Sequence, residues 1–464
     1  MNRSKKLSIL LGVLAAACAV TFAVMRMEAQ KEQIRETGEI ILELPSESVR
    51  SLSWEYGGET LAFHKEESWL YDADEDFPVS GEKINELLEH FQSFGAAFII
   101  EDVEDFSQYG LDDPICTIHL STEDQTYEVT LGDYSKMDSQ RYVSIGDGNV
   151  YLVKHDPLDE YDAVLSDMID HDEIPSFDRV TRIQFEGAEA YSIVYQENST
   201  DSCSSDDIYF AQQNGSSLPL DTGKVDSYLR SITGLAPVNY VSYHVTDEEL
   251  RAYGLDAPEL TITVDYAAEG EDGGETADTF ILYVSPDPED VKTAGEAEDG
   301  AEVSAYIRAG ESQIVYKISS SDYKKLAAAS YDDLRHPEVI WADFSEVQQL
   351  DISLEGNRYT LTAETDNGDP VWSYQDRDEL ETGDLQASLE NLTADEFTDE
   401  RPSQKEEISL TIYLDNENFP QLQLQLYRYD GSRCLAVVDG ESVSLVERAS
   451  VVDLIEAVHA IVLD

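Results

Sequence analysis

YGLDDP at residues 109–114 and YGLDAP at residues 253–258 differ at one position in six and begin 144 residues apart. A phrase written twice can mark a doubled active site, a doubled pocket or a doubled fold. The surroundings of the second instance, TDEELRAYGLDAPEL, favour the last. Thr246 with Glu249 three residues later has the spacing of a capping box, where two side chains satisfy free N–H groups at a helix start. Gly254 suits the left-handed residue that closes a helix, and Leu255 the apolar contact beside it. Pro258 cannot continue a helix and turns the chain into the extended run LTITV. In EDFSQYGLDDP, Gly110, Leu111 and Pro114 take the same roles. The phrase reads as a short helix, a stop and a strand start.

The flanks repeat as well. Before the first phrase, VRSLSWEY (49–56) and ETLAFHK (59–65) alternate as half-buried strands do, and Trp69 follows. In FPVSGEKINELLEHFQSF (77–94), Ile84, Leu87, Leu88 and Phe91 fall at i, i+3, i+4 and i+7, which predicts an amphipathic helix. After the phrase come ICTIHL (115–120), TYEVTLGD (126–133), RYVSIGDG (141–148) and NVYLVKH (149–155). Gly-Asp-Gly-Asn at 146–149 suits a hairpin turn, and LGDY around Gly132 is expected to be a strand-end turn. The second copy runs VTRIQFEG (180–187), YSIVYQ (191–196), IYFAQ (208–212) and a helix within 221–235 whose apolar face is Val225, Tyr228, Leu229 and Ile232. LTITVDY, FILYVS, AYIRAG and QIVYKI complete it, with 267–301 expected to be mostly polar loop.

A third copy runs from VQQLDISLEG (347–356) to ESVSLVER (441–448), with a helix in 385–393 and DERPSQKEE (399–407) where the phrase would stand. Helical segments at 157–170, 320–334 and 450–462 close the copies. Strands outnumber helices, so the expected class is α+β: an N-terminal transmembrane helix, then three tandem repeats of antiparallel sheet with packed helices. The expected divisions are 1–35, 36–175, 176–336 and a degenerate 337–464.

Composition bounds the partners. The 464 residues carry 30 Lys+Arg against 97 Asp+Glu, a net charge of −67, which repels phosphate backbones and argues against nucleic-acid binding. Residues 1–35 are different, with Arg3, Lys5, Lys6, Arg26, Lys31 and Arg35 against Glu28 and Glu32. Between Lys6 and Arg26 lie 19 uncharged residues, about the length of a membrane-crossing helix. The preceding cations favour a cytoplasmic N-terminus and leave the rest outside. An uncleaved anchor is the expectation. A cleaved signal peptide and lipidation at Cys18, within Ala15-Ala16-Ala17-Cys18, are the alternatives, and all three place the bulk of the chain outside the cytoplasm.

No catalytic, cofactor or metal constellation stands out. Cys116 and Cys434 lie in apolar runs and are expected to be buried, Cys203 in a polar loop and exposed, and no Cys/His pairing has metal spacing. Asp72, Asp74 and Asp76 have calcium-loop spacing, but Phe77 replaces the needed Gly and Lys83 the needed Glu, leaving weak cation binding at most. The eight histidines are dispersed, and His119 is expected to be a half-buried packing residue. The 26 tyrosines suit amphipathic sheet packing, with a carbohydrate- or peptide-binding face as the sharper alternative.

Trp69 after paired strands, Leu87 and Leu88 on a helix, then Tyr109, Gly110, Leu111 and Pro114 followed by Leu131, Gly132 and Asp133, resemble the bacterial family of domain of unknown function DUF4340. Tyr253, Gly254, Leu255 and Pro258 match again, although ILYVS replaces the LGD element. The resemblance covers about residues 40–340 well and the last third only by plan. It implies an envelope protein with one N-terminal span, in some members beside ABC-type export or gliding-associated transporter components. It carries no catalytic residues. The expected function is a membrane-anchored extracytoplasmic binding or accessory protein, associated through a permease with an ABC-type transport system. The alternative is an independent envelope scaffold or adhesin binding wall polymer or cations, and a hydrolase ranks behind both.

Overall fold

The computed structural model describes residues 33–36, 38–213, 215–269, 275–296, 302–366, 369–377 and 380–463. The expected anchor at 7–25 lies outside the described residues, and no described helix is long and apolar enough to cross a membrane. The chain divides into two compact units, Met1–His171 and Asp172–Asp464.

The first unit holds one antiparallel sheet built from β1 (Gln33–Glu36), β2 (Ile40–Leu42), β3 (Val49–Tyr56), β4 (Glu59–Lys65), β5 (Trp69–Tyr71), β6 (Phe94–Glu101), β7 (Cys116–Thr122), β8 (Thr126–Ser135), β9 (Gln140–Ser144) and β10 (Val150–Val153). Its order is β1-β6-β10-β9-β8-β7-β3-β4-β5, with β2 also on β6. The second unit holds two sheets. One contains β11 (Arg179–Gly187), β12 (Ser192–Tyr195), β13 (Tyr209–Gln213), β14 (Ser216–Pro219), β15 (Tyr240–Ser242), β16 (Leu260–Glu269), β17 (Glu275–Pro286), β18 (Ala305–Ala309) and β19 (Val315–Ile318), in the order β14-β13-β12-β11-β16-β17-β18-β19-β15. The other contains β20 (Val347–Leu354), β21 (Asn357–Asp366), β22 (Asp369–Ser373), β23 (Ala394–Phe397), β24 (Glu406–Leu414), β25 (Gln421–Arg428), β26 (Arg433–Val438) and β27 (Glu441–Glu447), in the order β22-β21-β20-β24-β25-β26-β27-β23.

One plan underlies all three. Three strands step outward from the centre in the first and third sheets and four in the second; a helix follows, the next strand lands on the far side, and four more fill the gap. The helices are α1 (Gly81–Gln92), α2 (Thr222–Thr233) and α3 (Gly383–Glu390). The four apolar positions predicted on each of the first two are buried: Ile84, Leu87, Leu88 and Phe91 on α1, and Val225, Tyr228, Leu229 and Ile232 on α2. Serine or aspartate starts each of these two helices, Ser80 accepting from the Lys83 N–H and Asp221 from the Lys224 N–H. The closing segments pack beside them. The fully buried Tyr161 ring meets Trp54 edge-on at 5.4 Å and donates its hydroxyl to the Leu87 carbonyl at 3.0 Å. In the second sheet Tyr228 meets Phe185 and donates to the Leu326 carbonyl at 3.0 Å. Both rings bury large apolar area while satisfying their one polar atom.

Several expectations change. Residues 267–301 are mostly not loop: β16 and β17 pair from Leu260↔Val284 out to Glu269↔Glu275, and a helix spans Pro288–Glu296. Asp278 on this hairpin is exposed, as a sheet with one solvated face allows. LGDY is not a turn: it belongs to the last stretch of β8, which runs to Ser135 through a register shift between Leu131 and Tyr134. His119 is exposed, with its Nδ1 3.7 Å from Glu128 on the paired strand, because Ile118 and Leu120 take the buried face. Cys203 is buried together with Cys116 and Cys434. Its polar loop is drawn into the core beneath the third sheet, beside Val339, Ile340 and Val347. The strands that follow the three helices, β6, β15 and β23, escape the sequence patterns.

Candidate functional site

The repeated phrase closes its helix as its residues predicted. The short helix Asp247–Ala252 carries the complete Thr246/Glu249 capping box. Gly254 has φ +72°, the Leu255 N–H donates to the Leu250 carbonyl at 2.8 Å, and the Gly254 N–H reaches Arg251. In the first copy Gly110 has φ +69°, and Leu111 and Gly110 donate to Phe106 and Ser107 in the same pattern. This is the paired-bond stop that favours glycine. Its tyrosines pack on the sheet in equivalent places, Tyr109 against Tyr142 at 4.9 Å and Tyr253 against Tyr306 at 4.6 Å.

The phrase also explains its partner LGD. A Cβ on Gly132 would run into the Tyr109 carbonyl oxygen, and one on Gly110 would come within 2.8 Å of the Asp133 side chain. Counting from the strand pairs Cys116↔Leu131 and Leu260↔Val284, Ser285 occupies the Gly132 position in the second copy. Ser285 Oγ donates to the Gly254 carbonyl at 2.8 Å, so a hydrogen bond replaces the close approach. These residues pack the helix stop against an interior strand of the sheet.

Convergent polar chemistry lies elsewhere, in the second unit, where the second sheet's loops meet the connector into the third. Asp207, just before β13, is 3% exposed. Its carboxylate accepts from His336 Nε2 at 2.8 Å, from Trp341 Nε1 at 3.0 Å and from Ser202 Oγ. The His336 ring stacks on Trp341 with centroids 4.6 Å apart and planes 4° from parallel. One donor atom each from Asp221, His336 and Glu338 lies within 4.8 Å of the others. Local bonds fix the frame: the Asp221 N–H donates to the Leu334 carbonyl, Lys224 Nζ to the Arg335 carbonyl, and the Val339 N–H to the Leu392 carbonyl. A cavity of about 490 Å³ opens beside the cluster, lined also by Asp206, Thr222, Gln386 and Glu390.

Sequence patterns missed this cluster because its members are distant along the chain and lack motif spacing. The one local signal is HPE at 336–338, a histidine and a glutamate two residues apart. The calcium-like aspartates do not converge. Asp72 accepts or shares a proton with His64 Nδ1 at 2.7 Å, Asp74 accepts from the Asp76 N–H, and Phe77 is buried. Three other histidines pair with separate carboxylates: His64 with Asp72, His90 with Glu160 at 2.7 Å and His119 with Glu128 at 3.7 Å.

No curated protein and no solved structure matches this chain. The sequence model of domain of unknown function DUF4340 matches it twice, over residues 69–208 and 211–411. Each match starts at the third strand of a sheet and runs into the next copy, so the second reaches β24 of the third sheet. With the phrase, its glycine partner and the repeated strand order in place, and most of the sequence matched, the chain belongs to the DUF4340 family.

Proposed function

We propose that this chain is an extracytoplasmic binding and accessory protein, tethered by its N-terminal segment and working beside an ABC-type transport system. The reading is supported by an apolar run at 7–25 behind Arg3, Lys5 and Lys6, followed by three copies of one sheet plan. The residues common to the first two copies are packing residues: helix stops, stacked tyrosines and small residues at close approaches. Such scaffolding suits presenting surfaces to a partner. The test is affinity isolation of the full-length chain from native membranes in mild detergent after cross-linking. Recovery of a permease and its ATPase is expected, and recovery of neither overturns the reading.

A second reading, an independent envelope scaffold that binds cations, is favoured by the carboxylate–histidine cluster at Asp221, His336 and Glu338. It predicts that the chain stays in the membrane fraction without any transporter component and that its stability depends on divalent cation.

A further inference from the structure

We propose that Asp221, His336 and Glu338 bind one divalent transition-metal cation of the zinc class, with Asp207 holding the histidine from behind. The argument begins at the imidazole. A carboxylate only accepts hydrogen bonds, so the Asp207–His336 contact at 2.8 Å places a proton on Nε2 and leaves the lone pair on Nδ1. Nδ1 makes no hydrogen bond among the described residues, and Glu338 Oε2 stands 3.8 Å from it, beyond hydrogen-bond reach. Metal-bound histidines are held in this manner, the second ring nitrogen donating to a carboxylate that sets tautomer and ring plane. Here that carboxylate is itself immobilised by Trp341 and Ser202, and the ring is clamped flat on the indole.

The two carboxylates complete the case. Asp221 Oδ1 caps α2 by accepting the Lys224 N–H at 3.1 Å, which fixes the side chain and leaves Oδ2 for a ligand. Lys224 is the obvious neutralising group, but its ammonium donates to the Arg335 carbonyl at 3.0 Å. Three acceptors thus face one another across less than 4.8 Å, an arrangement that like charge disfavours and a cation relieves. One imidazole and two carboxylates match zinc and its first-row neighbours, whereas calcium takes six to eight oxygens. Asp221, His336 and Glu338 line the same cavity as Gln386 and Glu390. A bound ion would tie the start of α2 to the connector that leads into the third sheet, joining two neighbouring repeats.

The experiment uses the full-length chain in detergent, stripped with chelator and titrated with Zn²⁺ by calorimetry at about 150 mM salt, where diffuse attraction to the acidic surface is screened. One saturable Zn²⁺ per chain is expected, with tetrahedral absorption bands when Co²⁺ replaces it and a higher Tm with metal than without. Asp221→Asn keeps a good helix cap and Glu338→Gln keeps shape, so the double variant should unfold normally in chelator yet bind Zn²⁺ at least about tenfold more weakly. Asp207→Asn, which touches none of the three metal-facing atoms and reaches the site through His336 and its Trp341 support, should weaken binding by about 10–100-fold. Absence of one-to-one binding, many weak sites abolished by salt, or unchanged affinity in the double variant each overturns the proposal.

Discussion

At the scale of single residues, identity is dictated by how closely backbones approach. Gly132 sits against the Tyr109 carbonyl with no room for a Cβ, whereas the nearest atom to a Cβ on Gly254 is Ser285 Cβ at 3.5 Å. Gly132→Ala should therefore cost about 1–3 kcal/mol through overpacking. Gly254→Ala should cost only the left-handed backbone penalty, about 1–2 kcal/mol. Urea melts of the two variants would check this, and a smaller loss for Gly132→Ala would contradict the packing account. The cysteines give a second case. Burial pushes the thiols of Cys116 and Cys203 up to about 12 and that of Cys434 up to about 11. Iodoacetamide at pH 8 should leave all three unmodified in the folded chain and label them after unfolding, as read by peptide mass spectrometry. Labelling of native Cys203 would contradict its placement. The NSTDSCSSDD loop suggested exposure because burial there is supplied by Val339 and Ile340, more than 130 residues away, which no local pattern encodes.

Elements were legible where a period or a cap specified them. The apolar faces of α1 and α2, the Thr246 box and the Gly254 stop all follow from neighbours within seven residues. The strands that follow the helices were not, since FGAAFIIE (94–101) lacks alternation and is defined by its pairing with β10 and β1. The carboxylate–histidine cluster was hidden for the same reason, with Asp207 and His336 meeting across 129 positions. Within the second sheet, Asp287 supplies a pH-dependent element. Burial by itself would raise its carboxyl, but Lys317 Nζ at 2.6 Å, the Glu289 N–H and the Tyr306 hydroxyl hold it below its ordinary 3.8. A lowered folded value means the stabilisation is complete above 3.8 and is lost as pH falls through the lower folded value. Asp287→Asn should be less stable than the parent at pH 7 and converge with it in strong acid. Urea midpoints from pH 7 to pH 2 would test this, and a constant gap would refute it.

For the whole molecule, 97 acidic against 30 basic residues keep copies of the chain apart in neutral solution. As pH approaches the sequence pI of about 4.1 this repulsion vanishes, and turbidity should rise to a maximum there and clear again below it. Monotonic solubility through that range would show that surface charge is not what keeps the protein dispersed.

The strand order has another consequence for a chain carrying one sheet plan three times. Similar sheets on one polypeptide meet at high effective concentration, and exchange of strands between copies is a characteristic misfolding route of tandem domains. The vulnerable places are the outermost strands, which expose unpaired N–H and C=O groups. Here β5 and β15 are 3 residues long, β1, β14 and β23 are 4, and β22 is 5, against 8 for β3, 12 for β17 and 9 for β24. β14 also ends in Pro219, which has no N–H to offer. A neighbouring copy could gain only a few hydrogen bonds at any such edge, while its own central strands offer many. Short borders thus act as a fidelity device, letting sheets of one plan fold on one chain without templating one another.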